Sequence, residues 1–252
     1  MARTELSLLS CNIQAGSSTS RYREYLTRGL NHLLPIGKRD SLDSIAELAR
    51  AFDIVGLQES DPGSLRSGFT NQTHYLAERS GFPFWSHQPN RRVGRIASSA
   101  NGLLSRFEPS DVRDYALPGR LPGRGVLVAR FGSEHDALTV AIAHLSLGIQ
   151  SRRDQIAFLT ELLADASHAV LMGDFNCPPD AAEMQALYRH TRLRPPIQTV
   201  ATFPSWRPSR ALDHILISDT LSVLHQRALP AARSDHLAIA ATISIPTHCL
   251  PG

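Results

Sequence analysis

Asp174 and Asn176 stand two residues apart at the end of an apolar run, Val170-Leu171-Met172-Gly173, and Pro178 and Pro179 follow at once. Along an extended backbone, alternation puts Asp174 and Asn176 on one side of the chain and turns Phe175 to the other. The prolines then stop the strand. A carboxylate and a carboxamide held at the rim of a sheet can bind a cation or a phosphoryl group. An isolated Asp-x-Asn is also the ordinary end of a strand whose side chains satisfy turn amides, so the remainder of the chain has to decide.

The same pattern, an apolar run closing on a polar residue, recurs. Residues 5–13 (ELSLLSCNI) end near Asn12, residues 53–59 (DIVGLQE) end on Gln58 and Glu59, and residues 138–144 (LTVAIAH) end on His144. Asp213 lies inside a predicted strand (ALDHILI), and Ser234-Asp235-His236 opens the last one. Polar ends of several strands gathered at one rim make a site that no single motif supplies. Glu59 taken alone either points to solvent or meets a cation.

Glu59, Asp174, Asp213 and Asp235 could not all converge as anions in a low-dielectric cleft without compensation. Either some are protonated or a cation is present. Carboxylates together with Asn12 form an oxygen-donor set that favours Mg²⁺, with Mn²⁺ as an alternative, over zinc. His236 is the natural base to activate a water, and Asp213 is the candidate to hold its other ring nitrogen and fix the tautomer. His144 is singled out by its strand end, whereas His32, His74, His87 and His190 read as structural.

Helical spacing predicts helices over residues 21–34, from Asp40 or Ser41 onward with Leu42, Ile45, Leu48 and Phe52 on one face, over 71–80, and over 180–188. Ser151 and Asp154 have the spacing of a capping box ahead of Ile156, Leu159 and Leu163. Further strands are predicted at 82–85, 101–107, 124–131, 211–217, 221–229 and 237–245. Residues 192–208, rich in Pro and Arg, read as a surface loop containing Phe203 and Trp206. No repeat or linker interrupts the pattern, so a single domain over 1–252 is expected. At 252 residues with 42% hydrophobic content, the chain can build a substantial core.

A formal charge of +3 admits an anionic substrate without demanding nucleic acid, and the arginines are scattered instead of forming a dense basic stripe. Cys11, Cys177 and Cys249 lack metal-ligand spacing, and their odd number argues against a disulfide framework. The N-terminus does not read as a secretory signal, and no apolar segment reaches the length of a membrane span. A cytoplasmic protein is the expectation.

In order, Asn12, Gln58-Glu59, His144-Leu145, Gly173-Asp174-Phe175-Asn176, Asp213-His214-Ile215 and Ser234-Asp235-His236 resemble the endonuclease/exonuclease/phosphatase superfamily, typified by pancreatic deoxyribonuclease. The resemblance runs from Leu6 to Ile243. It implies an α/β fold, a four-layer sandwich of two packed, mostly antiparallel β-sheets flanked by helices, with the site at one edge. It also implies roles. Glu59 would be the principal metal ligand with Asn12 beside it and Asp235 contributing to metal or water positioning. His236 would be the base on water, oriented by Asp213. Asp174 would orient the nucleophile or assist the leaving oxygen, while Asn176 and His144 would hold the phosphoryl oxygens. Arg152 or Arg153 followed by Gln155 matches a habit of the family that concerns helix positioning.

Such a family attacks DNA, RNA, lipids and small phosphate esters, so the resemblance implies the bond and not the molecule. A Mg²⁺-dependent phosphodiesterase or phosphomonoesterase with a small or lipid-linked substrate is the favoured expectation. A nuclease is the alternative, with nucleic acid as a possible partner, and a non-catalytic binding module comes third. The resemblance places Asn101 and Arg124 on strands that line the substrate pocket. The patch from Arg91 to Arg95 reads as solvated loop.

Overall fold

The computed structural model describes residues 2–13, 38–64, 67–93, 97–119, 123–133, 136–230 and 234–250. The helix expected at 21–34 and the side chains of Arg91, Arg92 and Arg95 lie outside the described residues.

Among the described residues, eleven strands form two sheets. The first sheet contains β1 (Arg3–Asn12), β2 (Ile54–Ser60), β3 (Phe84–Val93), β4 (Ala97–Ser105), β10 (Ser222–Leu229) and β11 (Ala238–Pro246), in the order β10-β11-β1-β2-β4-β3. The second contains β5 (Asp111–Ala116), β6 (Gly125–Phe131), β7 (Leu138–His144), β8 (His168–Asp174) and β9 (Asp213–Ile217), in sequence order. Each sheet has one parallel pair, β1 with β2 and β7 with β8, and its other pairs are antiparallel.

Alternation explains why the central strands read as almost continuous apolar runs. In β8, Val170 and Met172 face the other sheet, while Ala169 and Leu171 face helices. In β1, Leu6 and Leu8 face inward between the sheets, and Leu9 and Cys11 pack outward. Outside the first sheet lie α1 (Lys38–Ala49) and α2 (Gln72–Ser80), burying Leu42, Ile45 and Leu76. Outside the second lie α3 (Ile149–Leu163) and α4 (Met184–His190), burying Ile156, Leu159, Leu163, Met184 and Leu187. The four layers are helix, sheet, sheet, helix, as the resemblance implies.

Some elements differ from expectation. The strands predicted at 82–85 and 101–107 overlap the inner parts of the longer hairpin β3–β4, which leaves out residues 82–83 and 106–107 and whose outer half carries polar residues. The edge strand β5 has no buried residue and therefore no apolar signature. The capping box at Ser151 is not formed: α3 begins at Ile149 with the extended Gly148 as its N-cap, which leaves Ser151 inside the helix. The helix expected at 180–188 starts later, at Met184, after a turn in which Ala181 N–H bonds to Pro178 O.

Topology alone brings the polar ends together. β1 and β2 are parallel and finish at one rim, where antiparallel β11 begins. β7 and β8 finish together, and antiparallel β9 starts opposite them. By alternation with the inward-facing Leu8, Ile142, Met172 and Ile215, the side chains of Asn12, His144, Asp174 and Asp213 face the gap between the sheets.

Candidate active site

His236 and Asp213 form the buried base of this rim. His236 Nδ1 lies 2.8 Å from Asp213 Oδ2. The Thr202 hydroxyl donates to the same oxygen at 2.5 Å. Around the histidine, its backbone N–H donates to Ser234 Oγ, and that hydroxyl donates to Asn12 O at 2.7 Å. The Phe203 ring lies against the imidazole with centroids 4.9 Å apart. Burial alone would depress His236. The charge and hydrogen bond of Asp213, reinforced by Asp174 and Asp235, outweigh it and lift the imidazole to about 10. With Nδ1 facing Asp213, Nε2 is turned toward the cleft, 3.9 Å from Asp174 Oδ2.

Asp174 is the hub of the other groups. Asn12 Nδ2 donates to its Oδ2 at 3.1 Å and reaches Glu59 Oε1 at 3.4 Å. His144 Nε2 is 3.4 Å from Asp174 Oδ2 and 4.0 Å from Glu59 Oε1. Burial first, and then the neighbouring Asp213, raise Asp174 to about 7. Asp235 is raised as well, by burial and then by Glu59, although His236 pulls it down.

Glu59 reaches this group through a backbone irregularity. The β2–β4 register shifts between Leu57 and Ser60, and Glu59 takes φ +58, a left-handed conformation that a glutamate adopts only at a cost of about 1–2 kcal/mol. The strand continues to Ser60 instead of stopping at Glu59. The side chain is 33% exposed, the most open of the carboxylates whose accessibility bears on the cluster.

His144 has an unusual partner. Its Nδ1 lies 2.7 Å from Arg124 Nη1. A guanidinium only donates, so Nδ1 accepts and the ring proton sits on Nε2, facing Asp174. Burial, then the Arg124 charge, then His236 push His144 well below the ordinary imidazole range. It is a neutral hydrogen-bond donor.

Asn176 does not share a strand face with Asp174. β8 ends at Asp174, and Asn176 turns into the left-handed region with φ +54. Its N–H donates to Asp174 Oδ1 at 3.0 Å, and its Nδ2 donates to Leu145 O at 3.0 Å, so the turn still brings both residues to the rim. The preceding Gly173 has φ +146, and a Cβ there would lie 1.8 Å from Ala143 O on the adjacent strand. Only glycine fits.

Arg124 thus stands beside the cleft as a partner of His144. Asn101 is placed differently from a pocket-lining residue. It is fully buried, and its Nδ2 donates to Gly125 O at 2.7 Å and contacts Gln88 Oε1 and Ile142 O, bridging the two sheets beneath the rim. Gln155 accepts from Ser146 N–H and donates to Pro118 O, while Arg152 pairs with Glu183, so these two shape the loop after β7 and the α3–α4 contact. Thr202 was missed because the Pro/Arg-rich loop, expected at the surface, gives no periodic signal, whereas Thr202 is fully buried there and the loop's Phe203 lies against His236. Leu237 N–H bonds to Thr202 O and Ser205 N–H to Asp235 O, which pins that loop against the segment of His236.

A divalent cation suits this donor set. Asp174, Asp213 and His236 present ligand atoms within 4.8 Å of one another, but Asp213 and His236 bond each other. This leaves Glu59, Asp174 and Asp235 as the carboxylates available to a cation, with Asn12 turning its Nδ2 toward Glu59 and Asp174. Burial and mutual repulsion hold Asp174 and Asp235 above the usual carboxylate range, which is the electrostatic excess a cation offsets.

Comparison with known proteins shows the family and the fold. Residues 9–236 match the model of the Endonuclease/Exonuclease/phosphatase family. Among curated proteins, none matches the chain in sequence. A solved endonuclease/exonuclease/phosphatase family protein from Bacteroides thetaiotaomicron superposes with TM-score 0.72 at 18% identity, covering 98% of this chain and 100% of that one. A mannosyl-6-phosphatase from Bacteroides thetaiotaomicron VPI-5482 gives 0.68 at 18% identity, covering 94% and 99%. TDP2 from D. rerio, solved with a single-strand DNA product, gives 0.68 at 16% identity, covering 95% and 99%.

Proposed function

The chain belongs to the endonuclease/exonuclease/phosphatase family, and on that premise we propose that it is a Mg²⁺-dependent hydrolase of a small or lipid-linked phosphate ester, with His236 as the base on water. The observation that carries the reading is the 2.8 Å Asp213–His236 contact, which directs the free Nε2 into the carboxylate-lined cleft. Glu59, Asn12 and Asp235 would hold the cation. When bound, it offsets the acidic rim and stabilises negative charge on the phosphoryl oxygens.

The chain's own groups divide the rest. The bare acidic rim holds His236 at about 10, so the imidazole would serve as a base only where a bound cation offsets Asp174 and Asp235. A water between His236 Nε2 and Asp174 then gives its proton to the imidazole as its oxygen attacks phosphorus, and Asp213 stabilises the resulting imidazolium. Asp174, within 3.9 Å of one histidine and 3.4 Å of the other, orients that water. Neutral His144 donates from Nε2, and Asn176 and Arg124 add donors on the same side, so charge building on the non-bridging oxygens meets fixed hydrogen bonds. A small or lipid-linked ester is favoured over a duplex because the formal charge is only +3 and the arginines are dispersed.

Purified protein with Mg²⁺ should hydrolyse a member of a panel of phosphomonoesters, phosphodiesters and phospholipids, and should lose that turnover on chelation and in His236→Ala. Turnover that survives chelation, or a panel left wholly intact, contradicts the reading. Preferential cleavage of DNA or RNA would replace the substrate class while keeping the chemistry.

A further inference from the structure

A second group of ligand-type side chains lies at the opposite end of the sandwich. His168 opens β8 and Asp174 closes it, so about 20 Å of strand separates the group from the candidate active site. His168 meets the C-terminal 3₁₀ turn Thr247–Cys249, which follows β11. Ligand atoms of His168, His248 and Cys249 all lie within 4.8 Å of one another, and the two imidazoles meet edge-on with centroids 6.1 Å apart.

Hydrogen bonding orients His168 as a ligand. Its Nδ1 lies 2.9 Å from Thr220 Oγ1. That hydroxyl spends its one proton on Ser167 O at 2.7 Å, so toward His168 it can only accept. Nδ1 therefore carries the ring proton and Nε2 keeps its lone pair. A hydrogen-bond acceptor on the far nitrogen that fixes the tautomer is the arrangement found behind metal-bound histidines, and here the hydroxyl takes that place. Burial and the neighbouring His248 also keep His168 below the ordinary imidazole range, hence neutral.

We propose that His168, His248 and Cys249 form a binding site for a zinc-class divalent transition-metal ion, which ties the C-terminal turn to the start of β8. Two imidazoles and a thiolate are a borderline-soft set that selects Zn²⁺ or Co²⁺ over Mg²⁺. The charge of the exposed Asp136 acts on both His168 and Cys249, and a water would complete the tetrahedral shell. Tetrahedral zinc sets neighbouring N and S ligand atoms roughly 3.3–3.6 Å apart, and rotation of the exposed His248 closes the group from its present spread. The Cys249 thiol releases its proton to solvent as the metal–sulfur bond forms. The turn is already fixed: Thr247 N–H bonds to Ala2 O at 3.1 Å, and the backbone of Cys249 packs on Gly132, where even a Cβ would come within 2.8 Å of its carbonyl.

The test is a Co²⁺ titration of the full chain in excess Mg²⁺, which keeps the acidic rim occupied. A thiolate-to-cobalt charge-transfer band should grow in, persist in Cys177→Ser and vanish in Cys249→Ser. Because Cys249 is buried and its substitution can disturb folding, the exposed His248→Ala provides a second arm. There, Zn²⁺ affinity should fall roughly tenfold or more, and the Zn²⁺-induced rise in Tm should shrink with it. Absence of the band at saturating Co²⁺, its persistence in Cys249→Ser, or unchanged Zn²⁺ affinity in His248→Ala overturns the proposal.

Discussion

Asp174 and Asp213 are register partners across β8 and β9, so two buried carboxylates face one another at the rim of the sheets. Burial and then this neighbour raise Asp174 to about 7. A carboxyl raised on folding holds its proton more tightly in the folded chain. Its contribution is fully present below the ordinary value near 3.8 and is lost as pH rises through about 7. In chelator, Asp174→Asn should therefore match wild type near pH 4 and melt a few degrees higher at pH 8, since about 1 kcal/mol moves Tm by about 2–4 °C in a domain of this size. A Tm difference independent of pH would contradict the crowding.

Arg124 acts on His144 through Nδ1. Removing its charge in Arg124→Met should raise the pKa of His144, so the imidazolium survives to higher pH. An NMR titration of the His144 ring should show its midpoint moving upward in the variant. A midpoint left in place would show that Arg124 does not set the protonation of His144.

Gly173 is fixed by the approach of the neighbouring strand. In Gly173→Ala, the methyl would lie 1.8 Å from Ala143 O, a backbone atom of the parallel partner that cannot swing aside. The loss should exceed the about 1–3 kcal/mol of ordinary overpacking. Denaturant unfolding measures it, and a wild-type midpoint would contradict the geometry.

What the sequence revealed and what it hid follow from the same physics. Asn12, His144 and Asp174 were legible because each is the last inward position of a buried strand, where a polar residue breaks an apolar run. The four-layer fold was legible through the resemblance carried by these residues and by Ser234-Asp235-His236. Glu59 was visible as a polar strand end, but its left-handed bulge was not, because nothing in a glutamate announces positive φ. Asn176 misled for the same reason: strand alternation was extended through a turn. Arg124 was recognisable as a strand-end residue, yet its partner His144 becomes a neighbour only through the pairing of β6 with β7. Thr202 reaches Asp213 through the turn bridged between Phe203 and Arg210, which gives no periodic signal. Asn101 occupies a strand facing the other sheet, and burial there turned a residue expected in the pocket into a bridge between the sheets.

The central claim is that Asp213 and His236 act as one unit on the attacking water, and a double-mutant cycle tests it most directly. Each of Asp213→Asn and His236→Ala should lower kcat with Mg²⁺ present by about a hundred- to ten-thousand-fold. The double variant should be little slower than the slower single one, since a coupled pair is lost once. Losses that multiply across the cycle, or His236→Ala activity near wild type, would contradict the account.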